Sequence, residues 1–166
     1  MGDDKDEFYG FHDYPDHVSG TAVLSRMLDG LGFRFYWATD GLRPEDYGFR
    51  PAPDVHSIEE LCAHVWELMN WVSTGALKKT YPKPRAGQEA REQALALIHD
   101  LREAFLSMGD EELAGLRLAK LPFWHIVNGP FSDALTHTGQ INSFRRINRN
   151  PCGGANPFRG LPPTSR

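Results

Sequence analysis

The chain has 166 residues, with 18 Lys and Arg against 22 Asp and Glu, and a formal net charge of -4. A chain of this length is expected to form one domain, residues 1–166, with a sizeable core. The slight acidic excess gives no basic surface for nucleic acid. No apolar run reaches the length of a membrane span, so neither nucleic acid nor a membrane is an expected partner.

The first ten residues, MGDDKDEFYG, are acidic and lack the apolar segment of a secretory signal. Asp6 stands where an N-myristoylation motif needs Ser or Thr. A cytoplasmic location is therefore the expectation. In that compartment the two cysteines, Cys62 and Cys152, are expected to be free thiols.

Residues 1–15 mix acidic and aromatic side chains, which predicts an extended arm that packs its aromatic rings on the body. For the first seven residues a frayed terminus fits equally well. The first predicted helix runs from about Ser19 to Thr39, with Gly41 as its C-terminal cap. The Pro-rich segment after it, to His56, is predicted to be a loop.

Apolar residues recur along the first predicted helix at the spacing of one helical face. They are Val23, Met27, Leu31, Phe35 and Ala38, with Leu24 and Leu28 beside them. Gly30 and Gly32 interrupt this pattern, and each costs roughly 1 kcal/mol of helix stability relative to Ala. Their presence indicates close packing against a neighbouring segment.

The second predicted helix begins at Ser57, which forms a capping box with Glu60. Apolar residues then follow the i, i+3, i+4 rhythm to Val72, so one face is strongly apolar. The third helix is predicted at about 88–108, and one short helical turn within 110–120. Pro122 suits the first turn of a fourth helix.

Pro130 has no amide hydrogen, which predicts that the fourth helix kinks or restarts near Asn128 and Gly129. The tail at 150–166 is rich in Pro and Gly and is expected to be irregular. Four main helices and no convincing alternating strand predict an all-α fold. The expected architecture is an antiparallel helical bundle with an irregular arm and tail.

Asp133 and His137 are four residues apart on the fourth helix, so their side chains lie on one helical face, and Gln140 follows on nearly the same line. His64 lies at the edge of the apolar face of the second helix. Together, His64, Asp133 and His137 form a set of two imidazoles and one carboxylate. Such a set suits zinc, nickel, iron or manganese, and leaves positions open for water or substrate.

Other interpretations of these residues stay open. An Asp–His pair at this spacing is also typical of the protein surface, and a lone histidine on an apolar face is also typical of a hydrogen-bonded core residue. A third interpretation is a metal-free protein with a buried His64–Asp133 ion pair. The apolar flank of Asp133 favours a metal, because an unpaired carboxylate there is costly. Gln140 fits either a hydrogen bond beside the metal or a backbone cap.

Further polar residues carry weaker expectations. The other histidines share no sequence pattern and are expected to be exposed or capping. They are His12, His17, His56, His99 and His125. Of these, His12 or His17 could reach the site from the N-terminal segment. Arg145 and Arg146 lie near a helix C-terminus, where the helix dipole favours positive charge. No residue stands out as a general base, so the catalytic residues stay unknown.

The segment 133-DALTHTGQINSFRR-146 resembles the last-helix signature of the DinB/YfiT-like superfamily, in which a His-x-x-x-His pair precedes Gly-Gln and an arginine-containing turn. His137, Gly139-Gln140 and Arg145-Arg146 match that signature. The segment 57-SIEELCAHVWELMNWV-72 resembles the second helix of the family, with His64 as its single histidine. Asp133 departs from the pattern, since it stands where the family has the first histidine.

This resemblance implies a four-helix bundle of up-down-down-up topology, a divalent metal ion between the helices and a homodimer. Zinc or nickel is the expected ion. A carboxylate can replace an imidazole at such a site, although Asp133 leaves the identity and affinity of the metal open.

By the same resemblance, the expected function is that of a divalent-metal-binding protein. Relatives include thiol S-transferases and isomerases that use low-molecular-weight thiols, so metal-dependent thiol transfer or hydrolysis of a small molecule is the expected reaction. The alternative is a non-enzymatic, stress-related dimeric binding protein with a structural or vestigial metal. An open three-ligand site favours catalysis, and a closed four-ligand site favours a structural role.

Overall fold

The computed structural model describes residues 7–164, which are mostly helical. The helices are α1 (Gly20–Thr39), α2 (Pro44–Tyr47), α3 (Ile58–Ala76), α4 (Gly87–Ser107), α5 (Asp110–Gly115), α6 (Trp124–Ile126) and α7 (Ser132–Ile147). A π-helical turn at Val127–Phe131 joins α6 to α7, and β1 (Arg117–Leu118) pairs with β2 (Leu121–Pro122). None of the helices in the described part of the chain is long and apolar enough to cross a membrane.

The helix ends follow the predicted capping chemistry. The Glu60 amide donates to the Ser57 hydroxyl at 3.2 Å, and the Ser57 amide donates to the Glu60 carboxylate at 2.7 Å. At the end of α1, Gly41 has a φ of +69°, the left-handed conformation that glycine adopts without strain. Both predicted caps are therefore confirmed.

The prediction that Pro122 begins a helix is wrong. Pro122 pairs with Arg117 in a two-residue antiparallel ribbon, and Leu118 pairs with Leu121. Between the strands, Ala119 and Lys120 both have positive φ, as the tight hairpin turn requires. These residue types are unusual in such a turn, so no hairpin was predicted there.

Four long helices surround the apolar core. Helices α1 and α3 each pack against both α4 and α7. On α1, the buried stripe contains Leu24, Leu28 and Phe35, whereas Val23 is 50% exposed. The inward face of α1 therefore keeps the predicted Leu31, Phe35 and Ala38, but it begins at Leu24 and Leu28 rather than at Val23.

The aromatic arm packs on α1, as predicted for residues 7–15. The ring of Phe8 is buried against Gly32, where an added Cβ would lie 2.3 Å from the ring. The indole of Trp37 donates to the Tyr9 carbonyl at 3.2 Å. The amide of Phe11 donates to the carbonyl of Gly160 in the C-terminal tail, also at 3.2 Å. The predicted frayed terminus lies outside the described residues, apart from Glu7.

Two buried charged residues hold the C-terminal end of α7. The Arg145 guanidinium donates to the carbonyls of Ala38 and Asp40, at 2.9 and 2.6 Å, and so closes the end of α1. This contact gives Arg145 a structural role that the dipole argument did not predict. The buried carboxylate of Asp46 accepts hydrogen bonds from Asn148 and Asn150, at 2.8 and 2.6 Å.

Asp46 also binds Arg43, which precedes α2. The Arg43 amide and guanidinium donate to the carboxylate at 2.7 to 3.0 Å. These hydrogen bonds hold the pKa of Asp46 well below its usual range, although burial acts in the opposite direction. The carboxylate therefore stabilises the fold in its ionised form.

Gly32→Ala is expected to destabilise the protein by about 1 kcal/mol. Overpacking against the Phe8 ring costs about 1–3 kcal/mol, which outweighs a gain of about 1 kcal/mol in helix propensity. Gly30→Ala is the matched control on the same helix, because its Cβ meets only the flexible end of Arg34, at 3.3 Å. The control is expected to be neutral or stabilising in urea unfolding. Equal effects of the two variants would contradict the described arm packing.

Asp46→Asn is expected to lower the free energy of unfolding at neutral pH by about 2–3 kcal/mol, since hydrogen bonds to an ionised group are lost. The folded-state pKa is depressed, so this contribution is present above the unfolded pKa of about 3.9 and is lost as pH falls through the folded pKa. Urea unfolding of both proteins from neutral to strongly acidic pH measures the difference.

The matched control for Asp46 is Glu45→Gln, which changes the exposed neighbouring carboxylate. It is expected to alter the free energy of unfolding by less than about 0.5 kcal/mol. The difference in the free energy of unfolding between Asp46→Asn and the wild type is expected to shrink at acidic pH. If it stayed constant down to the lowest pH, the role given to the ionised carboxylate would be contradicted.

Candidate metal centre

The break before α7 determines where its polar face points. Gly129 has non-helical backbone angles (φ -98°, ψ -107°), and Pro130 follows it inside the π-helical turn. The hydroxyl of Ser132 donates to the Val127 carbonyl at 2.6 Å, so that acceptor is satisfied at the break. The predicted kink is confirmed, and α7 packs against α3 directly after it.

The three predicted ligands come together between α3 and α7. Asp133 Oδ2 lies 3.4 Å from His64 Nε2, and Asp133 Oδ1 lies 3.4 Å from His137 Nε2. The centroids of the two imidazole rings are 4.7 Å apart. One ligand atom from each residue can be chosen so that all three lie within 4.8 Å of one another.

These separations fit a first-row divalent ion. Zinc binds histidine nitrogen and carboxylate oxygen at about 2.0–2.2 Å, and a tetrahedron with such bonds has edges of about 3.4 Å. The two nitrogen–oxygen distances match that edge. They are also longer than the usual N–H···O distance of about 2.9 Å, so the carboxylate forms no short hydrogen bond with either ring.

The cluster is open on one side. His137 exposes 15% of its side chain, whereas His64 and Asp133 expose 41% and 46%. Asp133 is therefore more exposed than its apolar flank predicts. The interpretation as a buried ion pair between His64 and Asp133 does not fit this exposure.

On each imidazole, the ring nitrogen that faces away from Asp133 has its own acceptor. His137 Nδ1 donates to Gln140 Oε1 at 2.8 Å, which leaves the lone pair of Nε2 directed at Asp133. Gln140 therefore forms a hydrogen bond to a side chain of the cluster rather than to the backbone. His64 Nδ1 lies 3.4 Å from Glu67 Oε2.

Glu67 was not among the predicted site residues. Its signal is its place three residues after His64, on the same helical face. Two other glutamates, Glu59 and Glu60, lie earlier on α3, and both have structural partners: the Gly87 amide and the Ser57 cap. A position on α3 alone therefore does not distinguish Glu67 from the other glutamates of that helix.

His12 and His99 lie in a separate cluster. His12 binds Asp29 through Nδ1 at 2.6 Å and Glu7 through Nε2 at 2.7 Å. His99 Nδ1 lies 3.0 Å from the same Glu7 carboxylate. The expectation of an exposed or capping role is therefore wrong for His12, whose two ring nitrogens are both engaged away from the candidate centre. The remaining three, His17, His56 and His125, are exposed, as expected.

Both cysteines are free thiols, as predicted. Cys62 is fully buried, and burial raises the pKa of its thiol to about 12, so it stays protonated at neutral pH. Cys152 contacts the side-chain oxygen of Asn142. Neither thiol belongs to the cluster of candidate ligands.

Comparisons with known proteins find no match for this chain among protein-family models, curated proteins or solved structures. The likeness to the DinB/YfiT-like superfamily therefore rests on the sequence motifs, and the candidate centre on its own geometry.

Proposed function

We propose that this chain is a divalent-metal-binding protein of the DinB/YfiT-like kind, with the ion held by His64, Asp133 and His137. The observation that carries the proposal is the convergence of these side chains from two helices, across 69 residues of sequence, at the spacing of metal ligands. The proposal includes the four-helix bundle of up-down-down-up topology. It also includes a homodimer, which the resemblance implies.

The charge and chemistry of the ligands support zinc or nickel as the ion. Two neutral imidazoles and one carboxylate leave a divalent ion with a net charge of about +1. Gln140 supports the same assignment, because its contact with His137 directs the unprotonated nitrogen toward the carboxylate. Iron and manganese accept the same ligands and belong in the same binding experiment.

We further propose that the centre is catalytic, in metal-dependent thiol transfer or hydrolysis. A bound divalent ion supplies Lewis acidity there and lowers the pKa of a thiol or of water. The exposed sides of His64 and Asp133 support access for a small molecule. Among residues 7–164 the ligand cluster has three members, which leaves a coordination position for substrate.

Metal-free full-length protein, prepared without a nickel column, is expected to bind one equivalent of zinc or nickel in isothermal titration calorimetry. Removing one of three ligands is expected to weaken binding roughly a hundredfold or more, or about 3 kcal/mol, in His137→Ala and in Asp133→Ala. Saturating metal is expected to raise the melting temperature of the wild type more than that of either variant.

His125→Ala is the control for the binding experiment, because His125 is an exposed histidine outside the cluster. It is expected to bind like the wild type. Absence of stoichiometric metal in the wild type, together with an unchanged melting temperature in His137→Ala, would refute the metal centre.

The metal-loaded protein is expected to turn over a low-molecular-weight thiol with an electrophilic partner, or a hydrolysable small molecule. Because the ion would supply the acidity, turnover is expected to disappear on chelation and in His64→Ala, and to return when zinc or nickel is restored to the wild type. Tight metal binding without turnover of any of these substrates would favour the non-enzymatic binding protein instead.

A further inference from the structure

We infer that Glu67 is a positioning residue of the proposed metal centre, which orients His64 through its Nδ1 nitrogen. This inference rests on the proposed function. It deepens that proposal by assigning the group that accepts from Nδ1 of His64 when Nε2 binds the ion.

Both oxygens of Glu67 have partners. Oε2 lies 3.4 Å from His64 Nδ1, and Oε1 lies 3.2 Å from the ammonium group of Lys83 in the loop before α4. The carboxylate is thereby held between the ring and a lysine from another part of the chain. Lys83 is 72% exposed, so its ion pair steadies Glu67 without removing it from water.

The geometry of imidazole excludes Glu67 as a direct ligand. The two ring nitrogens point to opposite sides, and Nε2 of His64 is the one that faces Asp133, at 3.4 Å. A group at Nδ1 therefore acts on the ion only through the ring. Glu67 takes the place on α3 that Gln140 takes on α7, where it accepts from His137 Nδ1.

An ionised carboxylate only accepts hydrogen bonds, so Glu67 favours the tautomer of neutral His64 with its proton on Nδ1, against Asp133, which lies at the same 3.4 Å from Nε2. Once Nε2 and Asp133 bind an ion, the proton is on Nδ1, and Glu67 accepts the hydrogen bond from it. Such outer partners fix the tautomer and ring orientation of a ligating histidine, and their loss weakens metal affinity by about 10–100-fold. The contact here is long and half-exposed, so the lower end of that range is expected.

The first test is zinc titration of the full-length, metal-free protein by calorimetry. Glu67→Ala is expected to weaken zinc binding about tenfold. Glu67→Gln is expected to fall between that variant and the wild type, because the carboxamide oxygen still accepts from Nδ1 but carries no charge. Glu111→Ala removes an exposed carboxylate from α5, controls for net charge, and is expected to bind like the wild type.

The second test determines the tautomer of His64 in the metal-free protein. Long-range ¹H–¹⁵N spectra at mildly alkaline pH are expected to show a mixture of His64 tautomers in the wild type, because a carboxylate lies 3.4 Å from each ring nitrogen. In Glu67→Ala the proton is expected to shift to Nε2, which faces Asp133, and Glu67→Gln is expected to lie between the two. A merely structural role for Glu67 would leave the tautomer unchanged.

The outcomes separate the two proposals. Stoichiometric zinc binding by the wild type, with Glu67→Ala within twofold of it and an unchanged tautomer, would overturn the role of Glu67 and leave the metal centre intact. Absence of zinc binding by the wild type would overturn the metal centre itself, and the role of Glu67 with it.

Discussion

The missing amide hydrogen of Pro130 is the constraint on which the candidate centre depends. With an ordinary residue there, α6 and α7 could continue as one helix. Instead Gly129 leaves the helical conformation, and α7 restarts at Ser132. From that start, the helical period turns Ala134, Thr138 and Ile141 into the core and brings Asp133 and His137 beside α3.

The far end of α7 is fixed by buried polar groups rather than by apolar packing alone. Arg145 donates to carbonyls at the end of α1, and Asp46 accepts from Asn148 and Asn150 just beyond α7. A helix held at both ends has little freedom to slide or rotate. The ligand spacing near its beginning therefore depends on hydrogen bonds several turns away.

Local chemistry made much of this structure predictable from the sequence. A capping box at Ser57 and a proline within a helical pattern act over a few residues, and both predictions were correct. The same holds for the four-residue spacing that aligns Asp133 with His137. The prediction that this pair meets His64 needed only one further observation, that His64 lies at the edge of the apolar face of a second helix.

Two of the wrong predictions involve contacts between distant segments, and a third involves a local turn. The exposure of Asp133 depends on which parts of α3 and α7 cover it, and periodicity carries no information about that. The hydrogen bonds that link His12 and His99 to Glu7 join three elements with no shared sequence pattern. The short hairpin at 117–122 escaped prediction because Ala119 and Lys120 are not typical of its turn.

The hydrogen bond from the Phe11 amide to the Gly160 carbonyl bears on how the chain is made. Its two partners leave the ribosome roughly 150 residues apart, which at about 5–20 residues per second is roughly ten to thirty seconds. During that time the arm can contact only segments that are already made, such as α1 through Phe8 and α4 through Glu7. During synthesis the pairing of arm and tail is thus a late event, since the residues of α1 to α7 are all made before Gly160.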